Sequence, residues 1–272
     1  MSDAPIGVFD SGVGGLTVLR ALLVALPHEN FVYLGDTARL PYGTKSPETV
    51  ARYSLQAAEA LAEYGVKCLV IACNTASSVG LPVIRERMEE IPVIGVIEPG
   101  AEAACAASGS GHIAVIATEG TVRGGAYQEA ILRRRPDFHV SAAPAQLFVA
   151  LAEEGVCEGP IAEGVAHHYL DPLFSASQPN GAPDTLVLGC THFPMLADAV
   201  RKVVGPDVHV VDSALTTATS ARAQLEAAGL LRSTGEGSVR FLATDSAERF
   251  ARVGSKFLGR RVDAADVELV DL

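Results

Sequence analysis

Nine short apolar runs, rich in β-branched residues, alternate along the chain with longer segments of helical period. The runs cover residues 6–10, 31–36, 68–73, 93–97, 112–118, 138–143, 185–190, 208–212 and 239–244. They are apolar at nearly every position instead of every second one, which predicts strands that are buried on both faces, as in a parallel sheet covered by helices. The pattern therefore predicts an α/β fold.

The clearest helical patterns between these runs cover residues 16–26, 46–65 and 212–229. Ser46, followed by a proline, is expected to be the N-cap of the second helix, and Asp212 or Ser213 is expected to cap the third. Gly65 and Gly229 stand where helices commonly end. These local signals support the alternation of strands and helices.

Length and charge narrow the class of protein. A chain of 272 residues with 49% hydrophobic residues can bury a large core in one or two domains. The formal net charge of −11 argues against a nucleic-acid partner and against binding to an anionic membrane surface. The sequence shows no signal-peptide pattern and no apolar run of about 20 residues, so we expect a cytoplasmic protein. Its five cysteines are odd in number and widely spaced, which indicates free thiols.

Polar and glycine-rich blocks follow five of the apolar runs. In open α/β sheets, ligands bind at the carboxyl ends of the strands, so these blocks are the expected site. They are DSGVGG at 10–15, GDTARLPYG at 35–43, CNTASS at 73–78, ATEGT at 117–121 and CTHF at 190–193. The first block lacks the last glycine of a dinucleotide-binding motif, because Thr17 stands there, and it has no P-loop lysine. It predicts a tight turn, or a group of backbone N–H donors for a small anion.

Cys73 and Cys190 both stand at the end of an apolar run and before a helix-like segment. A helix N-terminus stabilises a thiolate, so both are candidates for chemistry, whereas Cys68, Cys105 and Cys157 are expected to have no role in it. No C-x-x-C or H-E-x-x-H motif is present, and no metal site is expected. A thiol hydrolase would pair Cys190 with His192 but would leave Cys73 without a function. Two facing thiols suit the inversion of a weakly acidic carbon, since one removes a proton and the other delivers one.

The sequence resembles the bacterial glutamate racemase family along nearly its whole length. The matching blocks are IGVFDSGVGGLTVLRAL, YLGDTARLPYG, VIACNTASS, GVIEPG, ATEGTVRGGAY and LVLGCTHFPML, with no departure at the motif positions. The resemblance implies a cofactor-independent isomerase that interconverts L- and D-glutamate and supplies D-glutamate for peptidoglycan. Members of the family commonly form dimers, so a homodimer is expected.

The resemblance also implies two pseudo-symmetric α/β lobes, with mainly parallel sheets flanked by helices and the active site in the cleft between them. The first lobe would comprise residues 1–97 plus 212–272, and the second would comprise residues 98–211. The chain would cross between the lobes at 96–100 and 210–214, where a hinge could open and close the cleft.

Carried over by motif, Cys73 would act on the D-enantiomer with assistance from Asp10. Cys190 would act on the L-enantiomer with assistance from His192 and Glu153, although the adjacent Glu154 is an alternative. The residues expected to bind the substrate are Asp10, Ser11, Pro41, Tyr42, Gly43, Asn74, Thr75, Thr118, Thr121, Thr191 and His192.

Two other interpretations remain open at this point. One is a racemase of the same superfamily that acts on aspartate, another amino acid or a hydantoin; the DSGVGG and PYG blocks favour glutamate. The other is a non-catalytic module that binds carboxylates or acts as a thiol redox centre. Such a module would bind its ligand, or oxidise reversibly, without exchanging a proton at the α-carbon of the ligand.

Overall fold

The computed structural model describes residues 3–175 and 181–272, which contain two β-sheets flanked by helices. The strands are β1 Ile6–Asp10, β2 Phe31–Gly35, β3 Cys68–Ile71, β4 Val93–Gly95, β5 His112–Ala117, β6 His139–Pro144, β7 Thr185–Gly189, β8 His209–Asp212, β9 Val239–Ala243 and β10 Val267–Leu269. The first nine coincide with the predicted runs to within two residues at each end. The short strand β10 was not predicted.

Every strand pairing in the described residues is parallel, as the apolar pattern predicted. The first sheet has the order β10-β9-β2-β1-β3-β4, and the second has the order β6-β5-β7-β8. All residues of β1, β2, β3, β5 and β7 are buried, because helices cover both faces of each sheet. This is why these strands are apolar throughout. The predicted fold of two α/β lobes is confirmed.

Twelve α-helices are present in the described residues. They are α1 Leu16–Ala25, α2 Pro47–Ala62, α3 Asn74–Val79, α4 Leu81–Arg87, α5 Ile97–Ala107, α6 Glu119–Gly124, α7 Ala126–Arg134, α8 Leu147–Glu154, α9 Gly159–Phe174, α10 Ala197–Val204, α11 Ser213–Ala227 and α12 Ala247–Leu258. Ser46 caps α2 by accepting a hydrogen bond from the N–H of Thr49 at 3.3 Å. For α11 the cap is Asp212 and not Ser213, since Asp212 accepts from the N–H of Ala214 at 2.7 Å. In the part of the chain that is described, none of these helices combines the length and apolarity needed to cross a bilayer.

The two sheets are held together by a shared apolar core. The chain leaves the first sheet after β4, forms the second sheet from β5 to β8, and returns to the first at β9. One cluster of buried side chains contains Leu19 and Phe250 from helices beside the first sheet together with Phe148 and Phe193 from the second. Packing of these helices therefore fixes how the carboxyl ends of the two sheets face each other.

Candidate active site

A narrow cavity of about 40 Å³ lies where the carboxyl ends of the two sheets meet. Its walls come from the segments that follow β1, β2 and β3 on one side and β5, β6 and β7 on the other. The lining residues are Ser11, Pro41, Tyr42, Gly43, Cys73, Asn74, Thr75, Thr118, Gln146, Val149, Cys190, Thr191 and His192. The two cysteines, 5% and 6% exposed, thus contribute to one cavity from different sheets.

Most of the residues singled out in the sequence line this cavity, with three exceptions. Asp10, Thr121 and Glu153 do not line it, and each of them contacts a residue or loop that does. Gln146 and Val149 line the cavity but were not predicted. Both follow β6, so applying the carboxyl-end rule to the sixth apolar run would have found them.

Cys73 is the N-cap of α3. Its Sγ accepts a hydrogen bond from the N–H of Ala76 at 3.4 Å and lies 3.5 Å from Oγ of Ser11. Burial, and after it the nearby carboxylate of Asp10, raises the pKa of the Cys73 thiol to about 12, although these two hydrogen bonds oppose the rise. Cys73 is therefore a protonated thiol at neutral pH.

Asp10 lies beneath the glycine-rich loop and is fully buried. Its Oδ2 accepts a hydrogen bond from the N–H of Gly12 at 2.9 Å, while Oδ1 is buried without a hydrogen-bond partner. Burial raises the pKa of Asp10, and the positive charge of His192 together with three backbone N–H groups opposes that rise. The glycine-rich loop was expected to form a tight turn or to present backbone N–H donors to a small anion. In the structure, the N–H of Gly12 donates to the buried carboxylate of Asp10.

Cys190 differs from Cys73 in its local structure. It is followed by a 3-10 turn at Phe193–Leu196 before α10 begins, so the predicted helix N-terminus at this thiol is wrong. Instead, the Sγ of Cys190 lies 3.9 Å from Nδ1 of His192. The thiol of Cys190 therefore contacts a side chain, whereas the thiol of Cys73 accepts a hydrogen bond from a backbone N–H.

His192 is held between Cys190 and a carboxylate. Its Nε2 lies 3.3 Å from Oε1 of Glu153, and the backbone carbonyl of the neighbouring Glu154 instead contacts Lys256. Burial disfavours the imidazolium, but hydrogen bonds from His192 to Cys190 and Glu153 and the charges of Cys190 and Asp10 outweigh it. They raise the pKa of His192 to about 10, so the ring is positively charged at neutral pH. The hydrogen bond with His192 in turn lowers the pKa of Glu153.

Hydroxyl and amide groups join the two walls of the cavity. Oγ1 of Thr75, after β3, lies 2.9 Å from Oγ1 of Thr118, after β5, and 3.2 Å from Oγ1 of Thr121. The hydroxyl of Tyr127 donates to Oδ1 of Asn74 at 2.8 Å, which fixes the amide so that Nδ2 is buried without a hydrogen-bond partner. Oε1 of Gln146 is also buried and unpaired. Buried polar atoms of this kind are normally satisfied, so both are available to a ligand.

Tyr42 contributes to the lining by its position and not by its hydroxyl. The hydroxyl donates a hydrogen bond to the buried Asp36, which also accepts from Nε of Arg39 at 2.7 Å and from Oγ1 of Thr244 at 3.0 Å. Next to it, Gly43 lies so close to Thr118 that a Cβ at residue 43 would be 2.7 Å from Cβ of Thr118. A glycine here lets the two walls of the cavity approach each other.

Within residues 3–175 and 181–272, no group of three or more His, Cys, Asp or Glu side chains is arranged to hold a metal ion. The polar groups that line the cavity are thiols, hydroxyls, amides and one imidazole. This set can bind carboxylates and an ammonium group and can move protons.

Comparison with known proteins places this geometry in a family. Residues 9–221 match the Asp/Glu/Hydantoin racemase family. Glutamate racemase of Geobacter metallireducens is 48% identical over 268 residues, covering 98% of this chain and 96% of that protein. The crystal structure of glutamate racemase from Francisella tularensis in complex with D-glutamate matches with a TM-score of 0.91 and 36% identity, covering 100% of this chain and 98% of that chain. Glutamate racemase from Thermus thermophilus in complex with β-chloro-D-alanine matches with a TM-score of 0.88 and 44% identity, covering 100% and 98%.

The family match spans most of the chain and includes both cysteine segments. The identity to the Geobacter relative extends over nearly the full length of both proteins. The resemblance predicted from the sequence blocks is therefore confirmed. The chain belongs to the Asp/Glu/Hydantoin racemase family, and its members are isomerases.

Proposed function

We propose that this protein racemises glutamate by proton transfer between the α-carbon and two thiols, without a cofactor. The observation that carries this proposal is the convergence of Cys73 and Cys190 on one cavity from two different sheets. A substrate bound between them presents one face of its α-carbon to each thiol. The relatives named glutamate racemase, one of them solved with D-glutamate, support glutamate as the substrate.

In the proposed reaction, Cys73 acts on D-glutamate and Cys190 acts on L-glutamate. The thiolate of one cysteine takes the α-proton, forming an S–H bond, while the electron pair of the broken C–H bond moves into the α-carboxylate. The thiol of the other cysteine then gives its proton to the opposite face, forming a new C–H bond and becoming a thiolate. Atoms and charge balance, because the two cysteines have exchanged protonation states.

Each thiol has its own supporting groups, and these differ in charge. The positively charged ring of His192 lies 3.9 Å from the Sγ of Cys190 and can exchange a proton with it. The carboxylate of Asp10 disfavours the thiolate of Cys73, which keeps this cysteine ready as a proton donor. We therefore expect Cys73 to begin the reaction as the proton donor.

Neutral groups would recognise the charged ends of the substrate. The unpaired Nδ2 of Asn74 is a donor for a carboxylate, and the unpaired Oε1 of Gln146 is an acceptor for an ammonium group. Hydroxyls of Ser11, Thr75 and Thr191 add further donors at the cavity wall. Asp10 and Thr121 lie behind this wall and would act on the substrate only through their neighbours.

The cellular role that fits this activity is the supply of D-glutamate for peptidoglycan in the cytoplasm. We further propose that residues 1–97 plus 212–272 form one mobile lobe and residues 98–211 the other, with a homodimer as the assembled state. The supporting observation for the lobes is that the second sheet is built from one continuous part of the chain, β5 to β8.

Proton NMR of L-glutamate in D₂O tests the proposed function directly. The purified protein, with no added cofactor, should remove the α-proton signal while D-glutamate accumulates. Cys73→Ala and Cys190→Ala should each abolish racemisation, and Cys105→Ala, a partly exposed thiol outside the cavity, should not. Absence of exchange with glutamate would overturn the proposal, and the same assay with aspartate would then separate a neighbouring racemase from a binding module.

A further inference from the structure

Arg249 contacts Glu153, the carboxylate that supports His192 beside Cys190. Its Nη2 donates to Oε2 of Glu153 at 2.7 Å, and the other oxygen of that carboxylate, Oε1, lies 3.3 Å from Nε2 of His192. The far side of the His192 ring faces Cys190 at 3.9 Å. Arginine, carboxylate, imidazole and thiol thus form one continuous row in which each carboxylate oxygen has a different partner.

The arginine comes from the opposite side of the cleft. Glu153 belongs to α8, which follows β6 of the second sheet, whereas Arg249 belongs to α12, which follows β9 of the first sheet. On the same helix, Lys256 donates to the carbonyl oxygen of Glu154 at 3.4 Å. Helix α12 therefore contacts the end of α8 at two positions and connects the two sheets beside the active site.

A glutamate side chain with a single partner can rotate among several rotamers, and ordering it costs free energy. With Arg249 on one oxygen and His192 on the other, the carboxylate of Glu153 has one favoured orientation. The charge of Arg249 also helps to lower the pKa of Glu153, after the larger effect of its hydrogen bond with His192. After the hydrogen bond with Cys190, the hydrogen bond with Glu153 is the next largest cause of the raised pKa of His192, and a fixed Glu153 keeps the ring directed at Cys190.

We propose that Arg249 is a positioning residue for proton transfer at Cys190, acting through Glu153 and His192 from the opposite lobe. This inference rests on the proposed racemisation of glutamate. It gives the contact between α12 and α8 a chemical role, because the row of groups behind Cys190 is complete only when these two helices touch.

A purely structural role for this ion pair would look different. The side chain of Arg249 is 47% exposed and that of Glu153 is 19% exposed, so solvent screens the pair and its contribution to stability is small. We therefore expect Arg249→Ala to melt close to the wild-type temperature. Arg252→Ala, at an exposed arginine of the same helix, is the matched control, with unchanged activity and stability.

The first measurement is kcat/KM for glutamate in wild type, Arg249→Ala, Arg249→Lys and Arg252→Ala. We expect Arg249→Ala to lose about 10-fold, the equivalent of one misplaced supporting hydrogen bond. Lysine should restore most of the activity, because Arg249 uses only one nitrogen on Glu153. A wild type that fails to racemise glutamate would defeat the proposed function, whereas an active wild type with an equally active Arg249→Ala would defeat this inference alone.

The second measurement separates Cys190 from Cys73. The equilibrium constant between enantiomers is one, so kcat/KM must fall equally in both directions, and rates alone cannot identify the affected step. Deuterium at the α-carbon can: L-glutamate reports the proton removed by Cys190, and D-glutamate reports the proton removed by Cys73. In Arg249→Ala the isotope effect on kcat/KM should rise for the L-enantiomer and fall for the D-enantiomer. Unchanged or parallel effects would contradict the assignment.

The third measurement asks whether Arg249 acts through Glu153. In a Glu153→Gln background the carboxylate is gone, so adding Arg249→Ala should reduce kcat/KM by less than about 2-fold, against about 10-fold in the wild-type background. If Arg249→Ala instead reduced kcat/KM by the same factor in both backgrounds, Arg249 would not act through Glu153.

Discussion

Replacing Gly14 by alanine should disable the Cys190 side of the active site without altering any side chain that touches the substrate. Gly14 lies in the loop between β1 and α1 of the first sheet, opposite the segment that follows β7 of the second. The two segments are in direct contact. The substitution adds one methyl group at the point where the lobes meet.

The structure gives the size of the clash. A Cβ at residue 14 would lie 2.4 Å from Oγ1 of Thr191 and 2.5 Å from Nδ1 of His192, whereas ordinary contact begins at 3.4 Å. The neighbours would have to move by about 1 Å in a densely packed interior. Neither moves freely, because Thr17 donates to the carbonyl of Thr191 at 2.9 Å and the His192 ring packs edge-on against Phe257.

Overpacking of this kind typically costs about 1–3 kcal/mol of stability. The effect on catalysis should be larger, since a displacement of about 1 Å at a catalytic group can cost about 100-fold in rate. We therefore expect a folded Gly14→Ala protein with kcat/KM reduced about 100-fold, measured by circular dichroism of glutamate racemisation and accompanied by thermal unfolding.

Gly12→Ala is the matched control in the same loop. A Cβ at residue 12 would meet only Cδ2 of Leu40 at 3.4 Å, an ordinary contact, and neither glycine has a positive φ that would strain an alanine. Its kcat/KM should stay within about 3-fold of wild type, as for substitutions without a named clash. If Gly14→Ala were folded and as active as Gly12→Ala, the argument from close lobe contact would be refuted.

Four further perturbations follow from the contacts described above. Tyr42→Phe removes a donor from the buried Asp36, so urea unfolding should show a loss of about 1–3 kcal/mol; no loss would mean that water replaces the hydroxyl. Since the pKa of His192 is raised to about 10 and its charged form supports Cys190, kcat/KM should fall as the pH rises through that value. Glu153→Gln removes a hydrogen bond that raises this pKa and should move the fall to lower pH; an unmoved alkaline limb would contradict the pairing. Ser46→Ala removes the cap of α2 and should cost about 1 kcal/mol in thermal or urea unfolding, with activity unchanged.

The sequence predicted the fold well because both of its main signals are local. Continuous apolar runs mark strands that are covered on both faces. Ser46 marks the start of a helix through a hydrogen bond to Thr49, which is only three residues away in sequence. Strand β10 was missed because its three residues, one buried and two exposed, carry too short a pattern to read. The choice between Asp212 and Ser213 as cap also needed the backbone geometry.

The site was predictable where a motif stands directly at a strand end. Cys73, Asn74 and Thr75 follow β3, and Cys190 follows β7, so the carboxyl-end rule marks each of them as a site residue of its own sheet, and the family resemblance placed the site between the two lobes. The prediction of a helix N-terminus directly after Cys190 was wrong, because a 3-10 turn intervenes there. The thiol of Cys190 contacts the side chain of His192 instead.

The sequence by itself determined the buried parallel strands, the polar blocks at their carboxyl ends and the two thiols, since each depends on residues close together in the chain. Only the tertiary structure decided which groups stand behind each thiol. Arg249 reaches Glu153 from another lobe, Asp36 holds the Tyr42 hydroxyl away from the cavity, and Gly14 meets His192 across the cleft. Such contacts join residues far apart in sequence, and they exist only because helix packing fixes the two sheets face to face.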